Sequence, residues 1–361
     1  MTATMHAAPH GTMSQGLWVP LVTPFHNDRL DLDALQSLAR DLAADMAGQV
    51  AADVAGDLLV EAAHVAGDVT DDLLVDAAVQ VAGKLAETRS ANATADIAGA
   101  VLFGSTGEGH LLSSAERKDA ADAVRDAVPS LPLIVGAGGI DTRDVARDLR
   151  ALDALQPQAW LIPPPCYLQP SEAGIHWHYA TLSDASDRPI VIYDVPGRTG
   201  ASLSPGAVES LCATTACAAI KACDAALRSA LIARGRVPVL CGDDTAFLAH
   251  ALAGGHGAIS ASAHVRPDLF AAILRLVQTG DVPAATELFD AVLPLIHALF
   301  QEPNPAPLKA LLALEGRIHD ELRRPMTPAS RTLGRQVHAL AAALPSREQV
   351  RRIRNDMLAT S

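Results

Sequence analysis

The sequence predicts an α/β fold, a (β/α)8 barrel with a C-terminal helical domain and a helical insertion between the first helix and the second strand. Three observations carry that prediction. Eight short apolar runs alternate with stretches of helical apolar spacing, and this alternation builds a parallel sheet whose strands are covered on both faces. Polar, glycine-rich segments follow the runs, which is where closed barrels of this kind build their active sites. Beyond about Val282 the runs stop and only helical spacing remains.

Residues 1–15 lack a basic start and an apolar core, so they are expected to be a flexible extension and not a signal peptide. The barrel is expected over 16–280. Its first strand is Leu17-Trp18-Val19-Pro20-Leu21-Val22, with Asn27-Asp28 as turn residues after it. From Asp31, Leu35, Leu38, Leu42 and Met46 mark an amphipathic helix. A strand over 97–103 leads into Gly104-Ser105-Thr106-Gly107-Glu108, and Ser113 with Glu116 is a capping box opening the next helix. Leu133 to Val135 follows, then a helix from about Thr142, then Trp160 to Ile162 with Pro163-Pro164-Pro165-Cys166-Tyr167. Ile190-Val191-Ile192, Cys217 to Ile220, Val239 to Cys241 and Ala258-Ile259-Ser260 complete the eight. The remaining segment, 281–361, is expected to form a helical domain.

Residues 48–95 break the rhythm, because a barrel needs only a short loop there. They hold an imperfect repeat, Asp57-Leu58-Leu59-Val60-Glu61-Ala62-Ala63 and Asp72-Leu73-Leu74-Val75-Asp76-Ala77-Ala78. A two-helix hairpin is the expected form, with an interaction surface as the functional alternative. The join of helix to strand lies at the end of a barrel opposite its active site, so the insertion should leave catalysis intact.

A net charge of −13 and a pI near 5.4 argue against nucleic acid as a partner. Arg351, Arg352 and Arg354 are expected to form a solvated helix end. Five cysteines without Cys-x-x-Cys spacing fit a reduced cytoplasmic protein with no zinc site. Charges interrupt every long apolar run, so no membrane span is expected. His176 and His178 flank Trp177 without a third ligand, and no metal is assigned to them.

The chemistry centres on Lys221, which ends an apolar strand. Desolvation there is expected to lower the amine's pKa, and a neutral amine can attack a ketone to form a Schiff base. Arg198, in Asp194-Val195-Pro196-Gly197-Arg198-Thr199-Gly200, offers a planar fork for a carboxylate, or a salt bridge at the barrel mouth. Of the three tyrosines, Tyr193 follows the run Ile190-Val191-Ile192 and Tyr167 ends the segment Pro163-Pro164-Pro165-Cys166-Tyr167 after another.

Gly104 to Glu108, Tyr193 to Gly200, Ile220-Lys221 and Gly242-Asp243-Asp244 together resemble the dihydrodipicolinate synthase and N-acetylneuraminate lyase superfamily of pyruvate-dependent class I aldolases. Pro196-Gly197-Arg198-Thr199-Gly200, with Glu302-Pro303-Asn304-Pro305 and Arg324-Pro325-Met326, places the likeness nearest the dihydrodipicolinate synthase branch. The resemblance implies a lyase without metal or organic cofactor. Lys221 would be the Schiff-base lysine and Tyr193 the proton shuttle, with Ser105 and Tyr167 as its hydroxyl partners. The Tyr167 equivalent reaches into a neighbouring subunit's site, which implies a homo-oligomer, a dimer or tetramer. Ser105 and Thr106 would receive the pyruvate carboxylate on their N–H groups, Arg198 would hold the aldehyde substrate, and Gly242 and Ile259 would line the pocket by their main chain. Glu108 and Asp243-Asp244 would orient loops. The expected reaction is condensation of pyruvate with L-aspartate 4-semialdehyde in lysine and diaminopimelate biosynthesis.

The chain departs from the family in two places. Ala222-Cys223 stands where the lysine is usually followed by Glu-Ala or Glu-Ser, and this small apolar neighbour is expected to favour the neutral amine. The positions matching the allosteric lysine site are Ser114, Ile140, Asp144 and Cys166, so feedback inhibition by lysine is not expected. Two other readings stay open from the sequence: an aldolase or dehydratase acting on a sugar acid, which would tend to lack Arg198, and a catalytically weak paralogue serving as a binding or assembly protein.

Overall fold

The computed structural model describes residues 15–65 and 97–358. Eight parallel strands close into a barrel: β1 (Gly16–Pro20), β2 (Ile97–Leu102), β3 (Leu133–Gly136), β4 (Ala159–Ile162), β5 (Ile190–Asp194), β6 (Cys217–Ala222), β7 (Val239–Cys241) and β8 (Gly257–Ile259). Each strand pairs with the next in sequence, and β1 pairs with both β2 and β8, so no edge is left open. Alternation along the strands divides the core. Trp18, Val101, Ile134, Leu161, Val191 and Leu240 fill the barrel, while their neighbours face the surrounding helices.

Helices of the outer layer follow the strands: α1 (Leu32–Val65), α2 (Ser114–Ala127), α3 (Thr142–Leu152), α4 (Glu172–Ser183), α5 (Pro205–Thr214), α6 (Ala225–Arg234), α7 (Phe247–Leu252) and α8 (Pro267–Thr279). Side-chain caps set many of their starts. Ser113 and Glu116 form the expected capping box on α2, and Asp141, Ser171, Ser204 and Asp224 accept backbone N–H groups at the N-termini of α3 to α6. Between β1 and α1 a tight hairpin pairs Phe25 and His26 with Arg29 and Leu30. Its turn residues, Asn27 and Asp28, both take positive φ, 53° and 59°, as such short hairpins require.

The first repeat copy, Asp57 to Ala63, continues α1 instead of forming a separate short helix. No proline interrupts Leu32 to Val65, and alanine and leucine there offset the cost of its few glycines. The second copy, Asp72 to Ala78, lies outside the described residues, as do most of the N-terminal extension and the rest of the insertion. The chain re-enters at Ile97, opposite Leu17 at the start of β1, and Gln49 Oε1 accepts the Ile97 N–H at 3.1 Å.

After α8 the described elements are helices: α9 (Val282–Leu299), α10 (Ala306–Leu314), α11 (Arg331–Ala342) and α12 (Arg347–Leu358). α9 packs on α8 and α11, and α12 returns to α8 and α1. α9 is long and apolar enough to cross a bilayer. Leu288, Val292, Leu295 and Ile296 on it are nevertheless buried in the same apolar layer as the barrel helices, as in the core helix of a globular protein. Arg352 on α12 pairs in the open with Glu348. All five cysteines are free.

Candidate active site

The pocket opens at the C-terminal ends of the strands, with a volume of about 180 Å³. Lys221 and Tyr193 are register partners on β6 and β5. In a parallel pair such neighbours point the same way, so the two side chains meet inside the barrel, the ammonium 4.4 Å from the tyrosine ring centroid. Both are 8% exposed. Tyr193 is thereby placed to touch whatever is bound to the lysine.

Beyond β2, Phe103 adopts φ 57° and turns the chain into the Gly104 to Glu108 loop, a left-handed conformation uncommon for an aromatic residue. Gly107 and Gly109 donate to Gly104 O at 3.1 and 3.2 Å, folding the loop so that Ser105 and Thr106 face the pocket. Among the described residues the N–H groups of both find no acceptor. Two free, adjacent N–H groups at a strand end suit a carboxylate.

Gly242 lies against the lysine. A Cβ there would come within 2.6 Å of Cys223 Sγ and 3.1 Å of Lys221 Cε, so the close approach requires glycine. Arg198, on the short helix Pro196–Thr199, reaches the rim. Among the described residues no carboxylate pairs with it, so the salt-bridge alternative finds no partner among them. Ile259 closes the far wall.

Tyr167 is the one expected site residue that the pocket of its own chain does not include. Its side chain is 84% exposed and its backbone sits at φ 71°. The left-handed backbone, tied by its N–H to Thr199 O at 3.1 Å, directs the phenol away from the barrel that carries it.

The expected pKa of Lys221 is corrected. Burial pulls it down, as the sequence suggested, but Tyr193, Cys223 and Asp244 act against burial, and the net direction is upward. Burial and Gly242 O, which accepts from its thiol at 3.3 Å, keep Cys223 a thiol, its own pKa raised by burial. On balance the small neighbour therefore does not lower the pKa of Lys221.

Four residues at or beside the site escaped sequence reasoning or were given only a loop-orienting part. Asp244 is fully enclosed, lines the pocket, and accepts the Ser262 N–H at 2.7 Å. Asn304 donates to Thr106 Oγ1 at 3.0 Å and also lines the pocket; the Pro-Asn-Pro run around it was the available signal. Glu108 does orient its loop, held by Lys309 Nζ at 2.5 Å and by the Arg323 N–H at 2.9 Å. Asp243 caps the turn after β7 through Thr245.

The histidines flanking Trp177 have other roles. His178 meets Thr142 Oγ1 at 2.8 Å in the core, and His176 meets Thr214 Oγ1 at 2.8 Å on the surface.

Comparison with known proteins places this arrangement. The model of the dihydrodipicolinate synthetase family matches residues 82–344. A 4-hydroxy-tetrahydrodipicolinate synthase of Haloarcula marismortui is 35% identical over 242 residues, covering 66% of this chain and 79% of its own length. The solved dihydrodipicolinate synthase of Thermotoga maritima superposes with a TM-score of 0.72 at 26% identity, over 91% of this chain and 99% of its own. The chloride-inhibited dihydrodipicolinate synthase of Acinetobacter baumannii, complexed with pyruvate, superposes with a TM-score of 0.73 at 25% identity, over 91% and 99%. A closed barrel of matching topology and a family match spanning most of the chain lead to one conclusion: this chain belongs to the dihydrodipicolinate synthetase family of lyases.

Proposed function

We propose that the chain is a 4-hydroxy-tetrahydrodipicolinate synthase, joining pyruvate to L-aspartate 4-semialdehyde in the diaminopimelate route to lysine. The observation that carries this reading is the pairing of an enclosed Lys221 over Tyr193 with an unpaired Arg198 at the rim of the same pocket. The names of its relatives support it, as does the pyruvate complex of the Acinetobacter baumannii protein.

In this reading the pyruvate carboxylate rests on the N–H groups of Ser105 and Thr106, which puts its C2 carbonyl against Lys221. The ammonium first gives up a proton through the Tyr193 hydroxyl. The free amine then attacks C2, and the carbinolamine loses water to form an imine, Tyr193 returning the proton to the departing oxygen with Ser105 as relay partner. Tyr193, having given up its proton, takes one from C3 to form the enamine, which attacks the aldehyde carbon of the second substrate while Arg198 holds that substrate's carboxylate and the proton passes to the aldehyde oxygen. Attack of its amine on the imine carbon closes the ring and frees Lys221. No metal or organic cofactor enters, because the imine nitrogen is the electron sink.

The outward Tyr167 fits a homo-oligomer in which each copy completes the hydroxyl relay of a neighbour, and the free cysteines fit a cytoplasmic setting.

The test is turnover of pyruvate with aspartate semialdehyde, coupled to the downstream reductase, beside borohydride trapping of pyruvate on the protein. Lys221→Ala should abolish both. Trapping without turnover would reject the aldehyde assignment and keep the Schiff base; absence of both in the wild type would reject the reading entirely.

A further inference from the structure

Two histidines that no step of this reaction uses meet on the surface where the hairpin after β1 touches the segment between α10 and α11. His26 Nδ1 lies 2.6 Å from His319 Nε2, with the rings edge to face. Asp31 stands beside them. The ligand atoms of these three side chains all lie within 4.8 Å of one another, and among the described residues they are the one His, Cys, Asp or Glu trio so arranged. None of the three lines the lysine pocket.

We propose that His26, Asp31 and His319 bind one divalent transition-metal ion of the zinc class, stapling the hairpin to the segment between α10 and α11. Two imidazoles and a carboxylate are a donor set that zinc and its first-row neighbours favour. Two ring nitrogens facing each other share a single proton, and a metal ion takes that proton's place between two lone pairs. In a tetrahedral site with the usual metal–nitrogen distance, ligand nitrogens stand about 3.3 Å apart. The pair therefore needs to part by well under an ångström, within the freedom of exposed rings. Asp31 Oδ1 already accepts the Ala34 N–H at 3.0 Å, capping α1. That bond orients the carboxylate and leaves its second oxygen for the ion, the kind of outer support that metal ligands use.

The backbone beneath is held in advance. Glu321, two residues after His319, accepts the N–H groups of Asn27 and Asp28 at 2.8 and 2.6 Å. Phe25, adjacent to His26, lies under the Lys309 ammonium and the Arg323 guanidinium. The cost of bringing together residues 293 apart in sequence has thus been met by other contacts. The exposed position of both histidines gives the ion an entry path and water a fourth position.

The experiment titrates ZnCl2 into chelator-stripped full-length protein by calorimetry, with Co2+ absorption as a second probe and thermal unfolding as a third. One equivalent should bind, raise Tm, and give a Co2+ spectrum of nitrogen and oxygen ligands. His26→Ala and His319→Ala should each weaken binding roughly tenfold or more. Asp31→Asn keeps a residue that caps α1 well while removing the charged ligand, and should weaken binding without lowering the metal-free Tm. All three variants should keep wild-type turnover in the absence of metal, which separates a lost ligand from a lost fold. No binding by the wild type, or unchanged affinity in both histidine variants, overturns the proposal and leaves a bare histidine–histidine hydrogen bond.

Discussion

Lys309 Nζ lies 2.5 Å from Glu108 Oε1, and both side chains are sealed from solvent. The pair joins α10 to the loop that presents Ser105 and Thr106, so the C-terminal helices brace one wall of the pocket. Burial pulls the Lys309 ammonium's pKa down, and Glu108 opposes that pull. The same ammonium donates to Glu321 O at 2.9 Å and lies over the Phe25 ring.

Removing one partner leaves a buried charge uncompensated, which typically costs about 3–5 kcal/mol. Glu108→Leu and Lys309→Met should therefore each lower the unfolding free energy by an amount of that order. The double variant Glu108→Leu/Lys309→Met should recover a large part, because it removes both charges. Urea unfolding of all four proteins measures the coupling, and additive losses would show that the pair does not act as a unit.

Gly242→Ala should slow borohydride trapping of pyruvate by roughly tenfold to a hundredfold, the upper figure being the scale of loss from misplacing a reacting group by an ångström. The added methyl would meet Cys223 Sγ at 2.6 Å and Lys221 Cε at 3.1 Å. Adding Cys223→Ala relieves the tighter of the two contacts, so Gly242→Ala/Cys223→Ala should trap faster than Gly242→Ala alone. Equal rates would mean that the thiol gives way at no cost to the lysine.

The barrel and most of the pocket were legible because their signals are local. A continuous apolar run ending in Lys221, or a Gly-Ser-Thr-Gly turn after another, states strand and site within a few residues. Asn304 is different: the Pro-Asn-Pro run marks the residue, but its bond to Thr106 spans 198 positions and nothing local pairs the two. The same limit hid His26 and His319. The direction of the Lys221 pKa also lay out of reach, since burial is opposed by Tyr193 first and by Cys223 and Asp244 after it, and Tyr193 and Asp244 are brought in from other strand ends. α1 runs on through Gly48 and the first repeat copy because glycine inside an alanine-rich helix costs only about 1 kcal/mol, too little to end it.

Arg198→Ala should raise KM for the aldehyde substrate by about 10–100-fold, the range expected from losing a charge-assisted hydrogen bond. Trapping of pyruvate should stay near wild type, because the lysine and the Ser105 and Thr106 N–H groups are untouched. Arg198→Lys should restore little, since an ammonium lacks the fork that grips both carboxylate oxygens. Steady-state kinetics with each substrate varied separates these outcomes, and an unchanged aldehyde KM would favour a substrate without a carboxylate at that end.

Stability should fall on acidification for a reason readable from three histidines. Burial lowers the pKa of His178, His250 and His264 to about 4, with Arg228 adding to the effect at His250 and Arg317 at His264. In the unfolded chain each would titrate near 6.5. Between those values the unfolded state binds protons that the native state does not, so unfolding free energy is full above about pH 6.5 and declines towards pH 4, by at most roughly 3 kcal/mol per histidine. Asp194 has the opposite sign. Burial raises its carboxyl to about 6, with only the Asp224 N–H at 3.4 Å to hold it. Its native state keeps a proton the unfolded state has lost, so this group costs stability as pH rises from 3.8 to about 6. Asp194→Asn removes that cost and should stabilise the protein at pH 7.5 by up to about 3 kcal/mol. It should change little at pH 4, where the native carboxyl is already neutral. Thermal unfolding of both proteins across this range checks the sign directly: a stabilisation that grew towards low pH would contradict the buried, poorly partnered carboxyl.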